Sequence, residues 1–383
     1  MKPLEDDLSR RRAQKLYRER LVLESPQGVE VLVGETALLS FCSNDYLGLA
    51  NDPRVIKAFQ QGAERYGVGA GASHLVSGHS RAHHAIEEEL ADFVGSERAL
   101  LFSTGYMANL GVMSALTDRN DAIFEDRLNH ASLIDAARLA RAKVTRFPHA
   151  DVHRLAGMLA HAPRPKLITT DAVFSMDGDI APLAELSDLA VKHDTRLLVD
   201  DAHGLGVLGQ NGRGTLEHLD LPLASPLILM GTLGKALGVF GAFVAGEEAL
   251  IETLIQRART YIYTTALPPA VAEAVRASLR IAQEEGWRRE RLRALVAQFR
   301  SGAERLGLVL LPSLTPIQPV VLGSAEAALR ASQHLREQGL LVPAIRPPTV
   351  PEGSARLRIT FSAAHEATHV DRLLEALSAV PAA

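Results

Sequence analysis

Residues 166–204 read KLITTDAVFSMDGDIAPLAELSDLAVKHDTRLLVDDAHG, and this stretch decides the fold class. A short apolar segment at 166–170 is followed by a helical pattern at 183–193 and by a second apolar segment at 195–199. A strand, a helix and a second strand of these lengths predict a βαβ unit, in which the two strands run parallel in one sheet. The stretch therefore predicts an α/β fold whose sheet is covered by helices on both faces.

The same alternation continues on both sides of this stretch. Strands are predicted at 98–102, 121–124, 144–147, 227–230 and 241–245, and helices at 81–93, 106–116, 131–141 and 151–160. Ligands of such folds bind at the carboxyl ends of the parallel strands. The residues that directly follow each strand are therefore the first candidates for a functional site.

The two ends of the chain have a different pattern. Residues 4–23 predict a helical arm, and residues 29–41 predict a β-hairpin that turns at Gly34-Glu35. After about residue 286 the predicted order is a helix at 287–306, a strand at 317–322, a helix ending near 338, strands at 340–345 and 356–361, and a last helix. We expect an arm and hairpin over 1–45, a large α/β domain over 46–286 and a small α+β domain over 287–383.

The composition is that of an ordinary globular protein. The 383 residues include 41 lysines and arginines against 45 acids, and 47% are hydrophobic. These values exclude a mostly disordered or fibrous chain and give no electrostatic reason to expect nucleic acid as a partner. Cys42 is the only cysteine, which excludes an internal disulfide and a cysteine-rich metal site. Neither a secretory signal nor an apolar run of roughly 18 residues is visible, so we expect a cytoplasmic protein with no membrane segment.

One lysine stands out at the end of a predicted strand. Lys235 lies in Gly231-Thr-Leu-Gly-Lys-Ala-Leu-Gly238 and is the only one of seven lysines in a glycine-rich apolar stretch. A buried lysine loses its proton easily and becomes an amine nucleophile suited to Schiff-base chemistry. A nucleotide-binding P-loop is excluded, because its four residues between glycines and its following Ser or Thr are missing.

Two acids and a histidine follow the strand at 195–199 as Asp200-Asp-Ala-His203-Gly. A carboxylate at the end of a buried strand is costly unless it meets a cation or hydrogen-bond donors. An Asx-turn that caps the loop is the alternative. The combination of two carboxylates and a histidine favours a functional site.

Two further strand ends carry polar residues. Ser103-Thr-Gly-Tyr-Met-Ala-Asn109 opens a helix, where free backbone N–H groups can bind a phosphate, although an ordinary N-cap explains the pattern equally well. The segment 171–179 contains three acids but lacks the terminal glutamate of an EF-hand calcium loop, so no metal site is predicted. An amine-forming lysine, a carboxylate, a phosphate site and a histidine together predict pyridoxal 5'-phosphate as cofactor.

The chain resembles the α-oxoamine synthases, which are fold type I pyridoxal-phosphate transferases. The resemblance rests on Ser43-Asn-Asp-Tyr-Leu-Gly-Leu49, Val76-Ser-Gly78, Val173-Phe-Ser-Met-Asp-Gly-Asp179, Gly212-Arg-Gly214 and Arg346-Pro-Pro-Thr-Val-Pro351. It covers nearly the whole chain. It implies a mostly parallel central sheet, a smaller C-terminal domain, and a homodimer in which each active site lies between two subunits.

The resemblance also implies roles for individual residues. Lys235 would bind the cofactor covalently, Asp200 would pair with its ring nitrogen, His203 would contact its phenolic oxygen, and His130 would stack on the ring. The other implied cofactor contacts are the amides of Gly105 and Tyr106, the Thr232 hydroxyl, Ser175, and Thr264 or Thr265 reaching the phosphate of the other subunit. The implied substrate contacts are Arg346, matching the arginine that binds the amino-acid carboxylate, together with Arg18, Asn44, His130 and Thr349.

Within the family, the stretch Ala344-Ile-Arg-Pro-Pro-Thr-Val-Pro351 favours one reaction. L-alanine would condense with a pimeloyl thioester, carried by coenzyme A or a carrier protein, with loss of CO₂, as a step of biotin biosynthesis. The alternatives are a sister synthase that uses glycine or serine with another acyl-CoA, an aminotransferase, and a non-catalytic subunit. The last usually lacks the lysine, which is present here.

Overall fold

The computed structural model of the chain describes residues 4–14, 16–162 and 166–380. Its helices are α1 Leu4–Ala13, α2 Pro53–Tyr66, α3 Arg81–Val94, α4 Gly105–Leu116, α5 Ala131–Leu139, α6 Val152–Ala160, α7 Leu183–Lys192, α8 Thr215–His218, α9 Glu248–Arg257, α10 Arg259–Ile262, α11 Pro269–Glu284, α12 Trp287–Arg305, α13 Ala325–Glu337 and α14 Ala367–Ser378, with a π-helical turn at His74–Gly78. Its strands are β1 Glu30–Val33, β2 Thr36–Ser40, β3 Arg98–Phe102, β4 Ala122–Asp126, β5 Lys143–Phe147, β6 Lys166–Asp171, β7 Arg196–Asp200, β8 Leu227–Thr232, β9 Ala242–Gly246, β10 Ile317–Gly323, β11 Leu340–Leu341, β12 Ala344–Ile345 and β13 Ala355–Thr360. Residues 1–3, 15, 163–165 and 381–383, which fall within the predicted units, lie outside the described part.

The central sheet has seven strands in the order β3-β9-β8-β7-β6-β4-β5. Neighbours from β8 to β5 pair in parallel, whereas β9 runs antiparallel to both β8 and β3. The predicted mostly parallel sheet is confirmed, and the elements predicted between residues 81 and 245 begin and end within two residues of the observed ones. Because the parallel strands point the same way, the carboxyl ends of β4, β6, β7 and β8 meet at one edge of the sheet.

Both faces of the sheet are covered, which explains the apolar runs that predicted its strands. Leu197, Leu198 and Val199 of β7 are fully buried, and their side chains alternate between the two sides of the sheet. The side chains of one face join a buried cluster that also contains the N-terminal Phe41 and the C-terminal Phe299. Since this cluster joins residues from all three predicted units, the boundaries near residues 45 and 286 stay predictions.

The segment predicted as one strand at 340–345 is divided between two sheets. β11 pairs in parallel with β2 of the N-terminal hairpin, whereas β12 pairs antiparallel with β13, which also pairs with β10. Pro343 interrupts the segment because proline has no backbone N–H to donate to a strand ladder. The prediction of a single strand is therefore wrong.

The helical arm predicted over 4–23 is also shorter than expected, since α1 ends at Ala13. Residues 16–22 form no regular element, and Leu23 makes an isolated bridge with Val33 of the hairpin. None of the residues of α1 is buried, so no packing against the body stabilises a longer helix. Within the described ranges, no helix has the length and apolar character needed to cross a bilayer.

Candidate active site

A cavity of about 180 Å³ opens at the edge where the parallel strands end. Its lining includes eight of the residues singled out from the sequence, namely Gly105, Tyr106, His130, Ser175, Asp200, His203, Thr232 and Lys235. A larger cavity of about 680 Å³ beside α12 contains none of them, so cavity size does not mark the site. The expectation that the strand ends bring these side chains together is therefore borne out by the geometry, while their roles stay predictions.

Lys235 lies in the loop between β8 and β9. The loop closes at Gly238, which has a φ of +65° and whose added Cβ would lie 2.4 Å from the backbone nitrogen of Ala50, so only glycine fits there. Burial lowers the pKa of Lys235 to about 8, although the negative charges of Asp200 and Asp171 oppose this effect. An appreciable fraction of the amine is therefore unprotonated near neutral pH and can act as a nucleophile or base.

Asp200 ends β7, and its carboxylate is held by fixed donors. Asn109 Nδ2 donates to Asp200 Oδ2 at 2.8 Å and to Ser132 Oγ at 2.9 Å, and the backbone N–H of Ala202 donates to Asp200 Oδ1 at 3.1 Å. A buried carboxylate held in this way stabilises a cation placed against it. Asp200 can therefore pair with a protonated ring nitrogen.

The neighbouring Asp201 has a different environment. Its two oxygens accept from the backbone N–H of Thr215 at 2.7 Å and from the Thr215 hydroxyl at 2.6 Å. Burial raises the pKa of Asp201 to about 7. Asp201 therefore anchors the start of α8, and only the first of the two adjacent carboxylates lines the cavity.

His203 connects Lys235 to a buried chain of hydrogen bonds. Its Nε2 lies 2.9 Å from Lys235 Nζ, and its Nδ1 lies 2.7 Å from the Tyr46 hydroxyl. The Tyr46 hydroxyl donates to Asn44 Oδ1 at 3.1 Å, and the same oxygen accepts from Arg358 Nη2 at 3.3 Å. Burial and the nearby cations hold the pKa of His203 well below its usual range, so the ring is neutral.

The N-terminus of α4 faces the same cavity. Thr104 is the N-cap, and its hydroxyl accepts from the Met107 N–H at 3.1 Å. The capping interpretation and the phosphate interpretation are compatible, because a cap leaves other N–H groups of the first turn without partners in the helix. Gly105 and Tyr106 line the cavity with Thr232, so this end can bind an anion, and its role as the phosphate site stays a prediction.

His130 is the N-cap of α5. Its Nδ1 accepts from the Ser132 N–H at 3.2 Å, and its own backbone N–H donates to Asp171 Oδ2 at 2.6 Å. These two contacts fix the position of the residue, while its side chain stays exposed and lines the cavity. The ring is therefore available for stacking on a flat ligand.

An ionic cluster that the sequence did not indicate holds the loop that carries Ser175. His149 Nδ1 lies 3.1 Å from Asp126 Oδ1, and its Nε2 lies 2.8 Å from Asp179 Oδ2. Burial alone would lower the pKa of His149, but the two carboxylates outweigh it and raise the pKa to about 10. His149 is therefore a cation at neutral pH that joins the ends of β4 and the loop after β6.

Replacement of His149 by glutamine is expected to destabilise the protein in a pH-dependent way. The folded-state pKa of about 10 lies above the unfolded value of about 6.5, so the stabilisation is complete below about pH 6.5 and is lost as the pH rises through 10. We expect a loss of about 2 kcal/mol at pH 6 that shrinks towards pH 10, measured by urea unfolding. His153→Gln, an exposed position on α6, is the matched control, and a difference from wild type that grows with pH would contradict the assignment.

The remaining predicted residues lie outside this cavity. Arg18, Arg346 and Thr349 line a separate cavity of about 290 Å³ beside the arm. Thr264 and Thr265 follow α10 and line neither cavity, and the preceding Tyr263 is 70% exposed. In a single chain, these five residues therefore lie outside the cavity that Lys235 lines.

Arg358 is the functional candidate that the sequence interpretation missed. Its side chain is buried, its Nε donates to the carbonyl oxygen of Ser175 at 2.6 Å, and no described carboxylate is paired with it. Its charge is among the causes that lower the pKa of both Lys235 and His203. Arg358 lies in a strand with alternating arginines, and sequence alone does not separate it from a surface residue.

The donor set of the cavity fits pyridoxal phosphate. The amine of Lys235 has a lowered pKa, Asp200 is held by amide donors, and the first turn of α4 provides an anion site. The Asn109 side-chain oxygen is buried and has no hydrogen-bond partner among the described residues. The orientation of this amide is therefore set by the hydrogen bond that its NH₂ group donates to Asp200. An amine, a carboxylate and an anion site around one cavity are what this cofactor requires.

The described residues include a possible ligand group away from this cavity. His79, His84 and Glu87 place ligand atoms within 4.8 Å of one another. His84 is half exposed, and its Nε2 lies 3.3 Å from Glu88 Oε1, so this histidine already has a carboxylate partner outside the group. The expectation that the protein needs no metal stays a prediction.

Comparisons with known proteins agree on one family. The family model described as aminotransferase class I and II matches residues 36–377. The curated relatives include proteins named 8-amino-7-oxononanoate synthase from Thioalkalivibrio sulfidiphilus, 62% identical over 98% of this chain and 97% of that protein, and from Nitrosococcus oceani, 62% identical over 97% and 99%.

Solved structures give the same picture. Serine palmitoyltransferase from S. paucimobilis, with a bound aldimine of pyridoxal phosphate and myriocin, has a TM-score of 0.92 at 32% identity and covers 98% of this chain and 96% of its own. An 8-amino-7-oxononanoate synthase from Francisella tularensis has a TM-score of 0.78 at 34% identity, over 89% of this chain and 97% of its own. The chain is thus similar over most of its length to enzymes that share one fold.

Proposed function

The chain belongs to the class I and II aminotransferase family of pyridoxal-phosphate enzymes, and we propose that it condenses L-alanine with a pimeloyl thioester to give 8-amino-7-oxononanoate, CO₂ and the free thiol, a step of biotin biosynthesis. The observation that carries the proposal is the amine of Lys235, which has a lowered pKa and lies between Asp200 and His203 at the edge of the sheet. Curated relatives of this name are 58–62% identical over nearly the whole chain. Their common name favours the alanine reaction over the sister synthases.

The cofactor is held by residues of the cavity described above. Lys235 Nζ would form the covalent attachment, Asp200 would pair with the ring nitrogen, and the first turn of α4 with Thr232 would bind the phosphate. When bound, pyridoxal phosphate supplies an electron sink that stabilises negative charge on the Cα of the amino acid. His130, which lines the same cavity, would stack against the ring.

Lys235 then moves the protons of the reaction. Its amine would accept the Cα proton of the bound alanine, a role suited to a lysine with a pKa of about 8. The Cα carbon forms a bond to the thioester carbonyl, and the C–S bond breaks with departure of the thiolate. The alanine carboxylate is lost as CO₂, and Lys235 returns a proton to the same carbon.

Two arginine sites match the two kinds of carboxylate in these substrates. Arg358 contributes a buried cation beside Lys235 and suits the carboxylate of alanine. Arg346, which the resemblance assigned to that carboxylate, lines the outer cavity with Arg18 and Thr349. We assign this outer pair of arginines to the distal carboxylate of the pimeloyl chain, since a guanidinium binds carboxylates through paired hydrogen bonds.

The predicted homodimer fits the positions that one chain leaves unexplained. Thr264 and Thr265 lie next to an exposed tyrosine and do not line the cavity of their own chain. In the proposed dimer, one of these hydroxyls contacts the phosphate bound by the other subunit. The cytoplasmic location stays a prediction.

The proposed function is tested by the mass of the product. We expect the protein loaded with pyridoxal phosphate to convert L-alanine and pimeloyl-CoA into 8-amino-7-oxononanoate, with glycine and serine reacting poorly in the same mixtures. The pimeloyl carrier-protein thioester is assayed in parallel, because either carrier is compatible with the sequence. Release of pyruvate from alanine without consumption of the thioester would instead indicate an aminotransferase, and preferred turnover of glycine or serine a sister synthase.

The two arginine assignments predict that each variant raises the KM for a different substrate. Arg358→Lys is expected to raise the KM for alanine roughly 10- to 100-fold with a small change for the thioester, the effect of losing a charged hydrogen bond. Arg346→Ala is expected to raise the KM for pimeloyl-CoA but not for heptanoyl-CoA, which lacks the distal carboxylate. Equal effects of either variant on both substrates would contradict the assignments.

A further inference from the structure

Three side chains link the reacting lysine to a buried arginine through four contacts, and each contact in this series constrains the next. Arg358 Nη2 donates to Asn44 Oδ1, Tyr46 lies between Asn44 and His203, and His203 Nε2 faces Lys235 Nζ. A guanidinium has only donors, so the amide oxygen of Asn44, and not its NH₂ group, must face Arg358. The direction of the first contact is therefore settled by chemistry.

The remaining directions follow from proton counting. Asn44 Oδ1 has no proton, so the contact of 3.1 Å with Tyr46 uses the single proton of the Tyr46 hydroxyl. The contact of 2.7 Å between Tyr46 and His203 must then take its proton from His203 Nδ1. Because the neutral imidazole carries one proton, Nε2 is left as an acceptor that faces Lys235.

We propose that Tyr46 is a positioning residue which, together with Asn44, holds the neutral His203 ring in the tautomer protonated at Nδ1, so that Nε2 accepts a hydrogen bond from Lys235 Nζ. In this arrangement the nitrogen of Lys235 donates one N–H to the ring, and its lone pair is not used in the contact. In the other tautomer, Nε2–H would donate to that lone pair and block it. The lone pair is what attacks the cofactor and accepts a proton, so the tautomer controls the availability of the reacting amine.

This inference rests on the proposed function only in taking Lys235 as the amine that reacts with pyridoxal phosphate. The protons involved belong to Tyr46, His203 and Lys235, and they are present before any substrate binds. The Tyr46 side chain is fully buried, so water does not compete for the hydrogen bonds of its hydroxyl. The arrangement is therefore a property of the folded chain.

The test measures the tautomer directly and uses two variants with different expected results. Asn44→Ala removes the acceptor that holds the Tyr46 proton, so the hydroxyl can turn and donate to His203 Nδ1, which shifts the ring towards protonation at Nε2. Tyr46→Phe removes the hydroxyl, so neither tautomer is enforced and a mixture is expected. Tyr261→Phe is the matched control, since this buried tyrosine hydroxyl makes no contact with His203.

The readouts are the ¹⁵N NMR signals of His203 in the protein before cofactor is added, and the rate at which each protein captures pyridoxal phosphate. Both are recorded at about pH 9, where Lys235, with a pKa of about 8, is mostly unprotonated and can either donate to His203 or accept from it. The His203 signals are assigned by their loss in His203→Gln. We expect Nδ1 protonation in the wild type and in Tyr261→Phe, a mixture in Tyr46→Phe, and mainly Nε2 protonation in Asn44→Ala. Capture should slow in the same order, roughly tenfold or more for Asn44→Ala.

Three results would overturn the inference. They are Nε2 protonation in the wild type, an unchanged tautomer in both variants, and slower capture without any change of tautomer, which would mean that Tyr46 acts through packing alone. The product assay fails or succeeds independently of these signals. A protein that makes another product but keeps the Nδ1 tautomer would refute the proposed function and leave this inference in place.

Discussion

Lys235→Ala is expected to abolish covalent capture of pyridoxal phosphate and to lower turnover by roughly 10⁴-fold or more. The amine of Lys235 has no substitute in the cavity, because the other lining side chains are carboxylates, hydroxyls, imidazoles and apolar groups. The same atom serves as attachment point and as base, so its loss removes both roles.

The measurement is reduction with borohydride followed by peptide mass mapping. In the wild type the peptide that contains residue 235 should gain the mass of the reduced cofactor, and in Lys235→Ala no peptide should gain it. Lys57→Ala, an exposed position on α2, is the matched control and should behave as the wild type. A tag on another lysine, or full turnover in Lys235→Ala, would refute the assignment.

The second large effect is expected from Asp200→Asn, which keeps the shape of the side chain and removes its charge. Loss of a buried charge opposite a protonated ring nitrogen costs about 3–5 kcal/mol, which corresponds to roughly 10²- to 10⁴-fold in kcat. Cofactor capture should persist, because Lys235 and the anion site at α4 are unchanged. Unchanged cofactor capture together with a reduced kcat is therefore the result that identifies the role of Asp200.

The adjacent Asp201 provides the matched control. Asp201→Asn disturbs the contacts with Thr215 and is expected to lower stability by about 1–3 kcal/mol with a much smaller effect on kcat. Stability is measured by urea unfolding and turnover by product mass. If Asp201→Asn lowers kcat as much as Asp200→Asn, the two carboxylates do not have separate roles, and the electrostatic argument for Asp200 is wrong.

Several parts of the site could be predicted because they depend on local patterns. Asp200 is the last residue of β7 and Lys235 lies in the loop after β8, and the carboxyl ends of neighbouring parallel strands meet at one edge of the sheet. The strands themselves were predictable, since segments buried on both faces must be continuously apolar. Residues at the carboxyl end of a strand can therefore be recognised from a single sequence.

The supporting residues could not be predicted in the same way. Asn109 contacts Asp200 across 91 positions of the chain, and Arg358 contacts Asn44 across 314. Nothing near these residues in the sequence distinguishes them from an ordinary helix asparagine or strand arginine. His149 is a similar case, because one of its carboxylate partners comes from the end of β4 and the other from the loop after β6.

The amino-acid sequence alone determined the α/β class, the mostly parallel sheet and the reacting groups of the cavity, because hydrophobic periodicity and the residues that end each strand are local properties. The tertiary structure alone decided the division of residues 340–345 between two sheets, the separation of Arg346 from Arg358, and the hydrogen-bond series from Arg358 to Lys235. These features depend on which distant segments pack together, and the direction of each hydrogen bond depends on what its partner can donate or accept.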